Sequence, residues 1–402
     1  MALMHVLKFL YAILNLTLVS CEPHSWNQFG GDAGNSRTAP FTSGPQRGAE
    51  LTWSFNTAGS IWSSSPCFGP DGSVYIGSSD GYVYSLSSTT GQLQWSFQTN
   101  ANVSSSPAFS HRLALVIFGS EDAVLYAADA ATGNLQWILH ADAALTSSPA
   151  LSHDSKWIVV GSNSGRVYCV DAATGAVRWQ TALGANPAPG GISSSPAFSS
   201  NSSTVIIGTT SGQVASLNAT SGKVMWSFQA RDGIASSPAI DSNGDAFIGS
   251  WDSYMYKICG HNGIEIWRFK TGSIVQSSPA LSVDGSVVYI GSLDYNVYAL
   301  NSATGAQQWV YSTGGFVGSS AAVDALGTVF IGSDDNYLYA LDGDTGSLLW
   351  SYAAEKEIYS SPALSRNGSL VFGSNDGIVY CLQDSNVDLN VRAPAKIDTA
   401  LF

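Results

Sequence analysis

A tryptophan returns through most of this chain at a nearly constant distance. Trp95, Trp137, Trp179, Trp226, Trp267, Trp309 and Trp350 follow one another at spacings of 42, 42, 47, 41, 42 and 41 residues, and Trp53 stands 42 before the first. A glycine closing an apolar run keeps the same beat at Gly77, Gly119, Gly161, Gly208, Gly249, Gly291, Gly332 and Gly373. Two unrelated markers therefore count eight units, each of the size of a propeller blade. Each unit carries four short segments of alternating polarity and no helical period of useful length. In the third unit these are 147–151, 157–161, 166–170 and 176–180. So small a sheet cannot bury both faces alone, and radial stacking supplies the missing cover. The expected fold is all-β: an eight-bladed β-propeller of four-stranded antiparallel blades.

The ends of the count predict how the ring closes. A lone Trp53 segment (51–57) precedes the first full unit, and the last unit has Val379-Tyr380 but no tryptophan after it. The N-terminal strand is expected to complete the last blade. The chain then divides into a signal peptide (1–20), an N-terminal extension (21–50), the propeller (51–383) and a C-terminal tail (384–402). In the extension, Trp26-Asn-Gln-Phe-Gly-Gly-Asp32 is expected to pack partly against the ring, and 37–49 to lead into the closing strand.

Charge narrows the partners. The formal net charge is −13 and only 11% of the residues are charged, so attraction to nucleic acid or to an anionic membrane is not expected. The first twenty residues hold Lys8 followed by an apolar run too short to span a bilayer, the pattern of an export signal. Leu18-Val19-Ser20-Cys21 resembles a bacterial lipoprotein box, in which Cys21 becomes an acylated N-terminus; ordinary secretory cleavage fits the same residues. An exported protein is expected, either secreted or periplasmic and attached to the outer membrane. Membrane association is expected only if Cys21 carries lipid. In a cell that glycosylates exported proteins, Asn102, Asn201, Asn218 and Asn367 head Asn-x-Ser/Thr acceptor triplets. The remaining cysteines, at 67, 169, 259 and 381, suggest no disulfide pairing.

Residues that invite a chemical reading recur too often to be one active site. A serine pair such as Ser147-Ser148 opens every unit, and eight copies without a matching base point to geometry rather than to a nucleophile. An acid follows the glycine step at Asp80, Asp122, Asp252, Asp294, Asp335 and Asp376, with Ser164 and Ser211 as exceptions; turn chemistry accounts for it, and the spacing is not that of an EF-hand. A tyrosine recurs at Tyr84, Tyr126, Tyr168, Tyr256, Tyr298, Tyr339 and Tyr380, with Ala215 in the fourth unit. Trp53, Trp95, Trp137, Trp179, Trp226, Trp267, Trp309 and Trp350 are expected to dock each blade on the next.

The docking motif carries a resemblance. Ala127, Asp129, Thr132, Gly133 and Trp137, repeated as Asp171, Thr174, Gly175 and Trp179, resemble the tryptophan-docked propellers of pyrroloquinoline-quinone (PQQ) enzymes and their noncatalytic relatives. The opening at 26–32 is similar to the start of the outer-membrane assembly lipoproteins of the BamB type. For a catalytic member the resemblance implies a quinone, a calcium held by Glu and Asn side chains, and an Asp base. No such set carries over to this chain, the adjacent cysteines frequent in those enzymes are missing, and the units lack long insertions. No cofactor is expected, with PQQ and calcium belonging only to the alternative of a PQQ- and calcium-dependent oxidoreductase. For a BamB-like member the resemblance implies a scaffold that binds a protein beside a membrane assembly machine.

Departures from the repeat mark where recognition is expected. Trp251, Leu293 and Tyr295 follow the glycine step where sister units place polar or small residues, and Arg231, Glu357 and Tyr359 lie in the links between blades. Asn186 sits in the longest link, 184–191. In a propeller these turns and links share one face. The function expected is that of a noncatalytic exported scaffold binding a protein or surface ligand; an extracellular glycan-binding propeller is a further alternative.

Overall fold

The computed structural model describes residues 26–69, 71–183 and 191–384. Their strands form eight antiparallel four-stranded sheets arranged in a ring, an eight-bladed β-propeller. The third blade runs Ala150–Leu151, Trp157–Gly161, Arg166–Asp171 and Val177–Ala182 from inside to outside. Its two middle strands are buried almost throughout, whereas the outer one alternates between exposed and covered positions. That contrast follows from stacking: the centre of each sheet is covered on both faces, and the outer strand is an edge facing water. The last blade, Ala363–Leu364, Leu370–Gly373 and Ile378–Asp384, takes its outer strand from Ala49–Asn56. Leu51 pairs with Leu382 and Trp53 with Cys381, so the two ends of the propeller sequence are hydrogen-bonded to each other.

The inner strands are shorter than the sequence suggests. The serine pair precedes the ladder instead of opening it: in blade three, pairing begins at Ala150, opposite Val159. Pro149 intervenes, and proline has no N–H to give to a ladder. The serines turn sideways instead. The N–H of Ser65 donates to Ser106 Oγ, Ser106 to Ser148, Ser148 to Ser195, and Ser195 to Ser237. Ser237 continues to Ser278, Ser278 to Ser320, Ser320 to Ser361, and Ser361 closes on Ser65. Eight blades are thus joined by an unbroken girdle of bonds at 2.8–3.2 Å. The recurrent serines are structural because the narrow end of each wedge needs a small side chain that can also accept a hydrogen bond.

Each outer strand is locked by its tryptophan. Trp179 Nε1 donates to Ala219 O of the next blade at 2.8 Å, and the indole lies against Gly222. Gly222 has φ +69°, and a Cβ there would stand 2.5 Å from the ring, so glycine is required twice over. Equivalent bonds run from Trp53, Trp95, Trp137, Trp226, Trp267 and Trp309 to the carbonyls of Ser88, Ala130, Ala172, Gly260, Ser302 and Gly343. Trp350 has no such turn ahead of it, because its neighbour is the blade made from both ends of the sequence. It bonds to Pro45 O at 2.8 Å, just before the closing strand begins.

The extension does more than pack partly against the ring. Residues 26–37 form a strap that visits the inner strands in order. Phe68 N donates to Trp26 O, Phe109 N to Asn27 O, Leu151 N to Gln28 Oε1, and Phe198 N to Ala33 O. Ile240 N, Leu281 N and Val323 N then bond to the carbonyls of Gly34, Ser36 and Arg37. Thr38–Ala39 pairs in parallel with the inner strand of blade seven and gives that sheet a fifth member. The strap therefore satisfies inner-edge N–H groups of blades one to seven and crosses the ring at the end away from the serine girdle.

Candidate functional site

The opposite face is built from one repeated device. Asp80 accepts Tyr82 N–H at 2.9 Å, the Tyr84 hydroxyl at 2.7 Å, and Ala58 N–H of the incoming link at 2.9 Å. Asp122, Asp252, Asp294, Asp335 and Asp376 likewise accept a tyrosine hydroxyl from four residues on. The recurrent acid and the recurrent tyrosine are therefore one staple, which fixes each hairpin turn to the neighbouring link. Burial, with the carboxylate beside it, pushes the Tyr298 phenol up to about 12. Blade three has Ser164 instead, and Asp142 of the link takes over: it accepts from Ser162 Oγ and Arg166 Nε, while its own N–H donates to the Tyr168 hydroxyl.

The expected recognition residues lie on this face in separate groups. The Trp251 indole is half-buried against Gly233, where an added Cβ would approach it to 2.3 Å, and the Trp251 backbone N–H donates to Gly233 O. Arg231 has an exposed side chain, and its backbone N–H is held by Asp252 Oδ2. Leu293 is half-buried, with its N–H on Ile274 O. Tyr295 is 46% exposed and its ring lies 5.1 Å from that of Phe316, itself 43% exposed. Glu357 and Tyr359 are half-buried in the link into blade eight. Asn186 lies outside the described residues, as do Cys21, the residues 1–20 and the tail beyond 384.

A continuous arc emerges between blade six and the closing of the ring. Tyr295 meets Phe316; Phe316 O accepts the Asp334 N–H at 2.8 Å; Asn375 N–H bonds to Glu357 O at 2.9 Å. Two residues on, the Tyr359 ring stacks on Trp62 at 5.0 Å and 15°. Trp62 is 52% exposed. Two aromatic pairs thus flank an acidic centre. Burial first, and then the charges of Glu357 and Asp335, push the Asp334 carboxyl up to about 6. Its Oδ1 and the Oδ1 of Asn375 are buried and have no hydrogen-bond partner among the described residues.

Trp62, Phe316 and Asn375 were not singled out by the sequence pattern, whereas Asp334 shows in the sequence as one of two successive acids, Asp334-Asp335. Trp62 could have been, because three steps separate Ile61 from Ser64 where Val103 to Ser105 or Ile358 to Ser360 takes two. The others depend on which link lies beside which turn, which is a matter of three-dimensional register. The lining does not suit PQQ: that quinone carries carboxylates, and here they would meet Asp334 and Glu357.

Other positions of interest stand apart from this arc. Asn102, Asn201 and Asn367 are exposed; Asn218 is half-buried, and its side-chain oxygen accepts from Thr220 N and Ser221 N in a turn. Cys67, Cys169, Cys259 and Cys381 are free thiols, and burial pushes those of Cys169 and Cys381 up to about 12. On the strap side, a cavity of about 480 Å³ is lined by Trp26, Asp32, Thr38, Phe41 and Lys257, among others. Lys257 stands where sister blades carry small residues and is paired with Asp241 at 3.0 Å and Asp245 at 3.5 Å.

A closed ring of tryptophan-docked blades, with a strap at one end and irregular turns at the other, defines an eight-bladed propeller of the tryptophan-docked type. The family model described as outer membrane protein assembly factor BamB matches residues 44–191, 189–320 and 297–386, and the chain belongs to that family. No curated protein matches the chain. Among solved structures, BamB from Moraxella catarrhalis is similar with TM-score 0.69 and 19% identity, over 83% of this chain and 99% of that one. The quinohemoprotein alcohol dehydrogenase of Comamonas testosteroni gives TM-score 0.77 and 15% identity, over 89% of this chain and 80% of its own. A europium-containing methanol dehydrogenase gives 0.76 and 14%, over 90% and 98%. At these identities the likeness is one of fold.

Proposed function

We propose that this propeller is a noncatalytic scaffold, exported from the cytoplasm, that holds a protein segment against the arc from Tyr295 to Trp62. The observation that carries this reading is the pairing of aromatic rings with an acidic centre in which Asp334 Oδ1 and Asn375 Oδ1 lack hydrogen-bond partners among the described residues. Trp and Tyr are among the residues that most often form the energetic centre of a protein interface, and a carboxylate pair between them selects a partner of opposite charge. The partner that fits is a segment offering a basic side chain between apolar ones. Membership in a family described by outer membrane protein assembly supports a partner in that setting, with the protein in the periplasm and attached through lipid on Cys21. Secretion without lipid is the alternative address.

The test uses the full chain and membrane fractions of its own cell. A photocrosslinker at position 316 should trap one defined protein, and Trp62→Ala together with Glu357→Gln should lower its yield at least tenfold. A crosslinker on the strap-side residue Ser242 serves as the control. Equal trapping at both positions, or a yield indifferent to the substitutions, would remove the arc from the reading. Substrate-dependent dye reduction after addition of PQQ and calcium would favour the oxidoreductase. Retention of an oligosaccharide that depends on Trp62 would favour the glycan-binding alternative.

A further inference from the structure

Arg37 is a charge that the ring does not answer. It is 1% exposed, the largest fully buried side chain among the described residues. Along the strap, Ala33, Asn35, Arg37 and Ala39 are buried while the residues between them are half-exposed, so the four are turned away from solvent. Asn35 shows that direction, since its Nδ2 donates to Pro196 O and Pro238 O beside the inner strands of blades four and five. The Arg37 backbone is firmly held: its N–H bonds to Gly30 O at 2.9 Å and its carbonyl accepts from Val323 N at 2.9 Å. Its φ is +57°, a conformation unfavourable for a side chain of this kind. The fold keeps the residue there despite that cost.

The Phe29 ring lies 4.1 Å from the guanidinium and partly compensates its charge. Its Nε and Nη2 have no hydrogen-bond partner among the described residues. The charge of Asp32 is felt, but that carboxylate already accepts from Gly34 N and Ser36 N and from the Ser36 hydroxyl. Burial lowers the guanidinium only to about 9, so it remains charged at neutral pH. A buried cation without an ion pair is costly enough to need an answer. Nε and Nη2 lie along one edge of the group, and that edge is the fork by which arginine grips an anion with two parallel N–H bonds.

We propose that Arg37 binds a small monovalent anion, of formate or halide size, on the propeller side of the strap. The Nε–H and Nη2–H bonds hold it, and the Phe29 ring covers the guanidinium. The site is distinct from the arc on the opposite face and stands or falls independently of it.

Formate is the first probe. The full chain is melted in buffer whose other anion is a bulky sulfonate, with formate exchanged for sulfonate at constant ionic strength. The melting temperature should rise saturably by about 2 °C or more, and the rise should vanish in Arg37→Met. An equal rise in both proteins, or none in the wild type, overturns the proposal. Because Arg37→Met could fail to fold, crystals of wild-type protein refolded from urea in bromide give a second reading. An anomalous peak within about 3.5 Å of Nε and Nη2 supports the site, and ordered water without an anomalous signal there overturns it.

Discussion

Trp179 joins two effects that substitution can separate: an indole face against Gly222 and an N–H donated to Ala219 O. Trp179→Phe keeps most of the packing and loses the bond, and should cost about 1–1.5 kcal/mol. Trp179→Ala empties the site and should cost about 3–5 kcal/mol; urea denaturation of the two variants reads the difference. Asp334 makes a prediction of the other sign. Its carboxyl, raised from 3.8 to about 6, holds a proton in the folded chain at pH values where the unfolded chain has lost it. Its contribution is therefore most favourable below the unfolded value, and falls away as pH rises through the folded one. Asp334→Asn should match the wild type near pH 4 and exceed it by about 1 kcal/mol at pH 7.5, a figure discounted for the solvent that reaches the group. Denaturation curves at the two pH values check it, and a variant less stable at pH 7.5 would show that the charge is answered after all.

At the scale of elements, the closing strand and the strap are held in different ways. Ala49–Asn56 covers the edge of Ile378–Asp384 along its length, whereas the strap gives each of blades one to seven only one or two bonds. A chain lacking residues 26–43 should still fold and should lose about 5 kcal/mol or more, since seven inner-strand N–H groups lose their partners. Removing the closing strand as well exposes a buried edge, and the single unfolding transition should split or disappear; calorimetry distinguishes the cases. The closing strand was legible because Trp53 stands one repeat ahead of a unit with no tryptophan of its own. The strap was not, because Trp26 to Arg37 follows no period: its partners are main-chain groups presented by seven blades, and nothing in residues 26–37 encodes their positions. The staple shows the same limit in miniature. Asp80 and Tyr84 were each visible as repeats, but the bond between them depends on how the turn folds. In the arc, Tyr295 and Tyr359 stood out as departures from the pattern; Trp62 left a trace in the extra residue between Ile61 and Ser64, and Phe316 was supplied by register alone.

For the whole molecule, shape and surface are governed separately. The girdle, the tryptophan locks and the staples are repeated around the ring, and proteins sharing only 14–19% identity reach the same fold. The acidic centre occurs once, on blades seven and eight, in a chain of net charge −13. Binding of a basic segment there should weaken at least several-fold between about 0.05 and 0.5 M salt, as the screening length shrinks; titration of the crosslinked partner at the two salt concentrations tests this. The serine girdle has a further consequence. All eight of its bonds pass in one rotational sense, from each unit to the next, so the loop has no first member and no last. Nothing in it distinguishes a ring of eight from a ring of seven or nine, since an added unit would find a donor on one side and an acceptor on the other. The strap does make that distinction. Its run of contacts is a ruler laid across seven blades and ending at the eighth, and it is there that the number of repeats is checked.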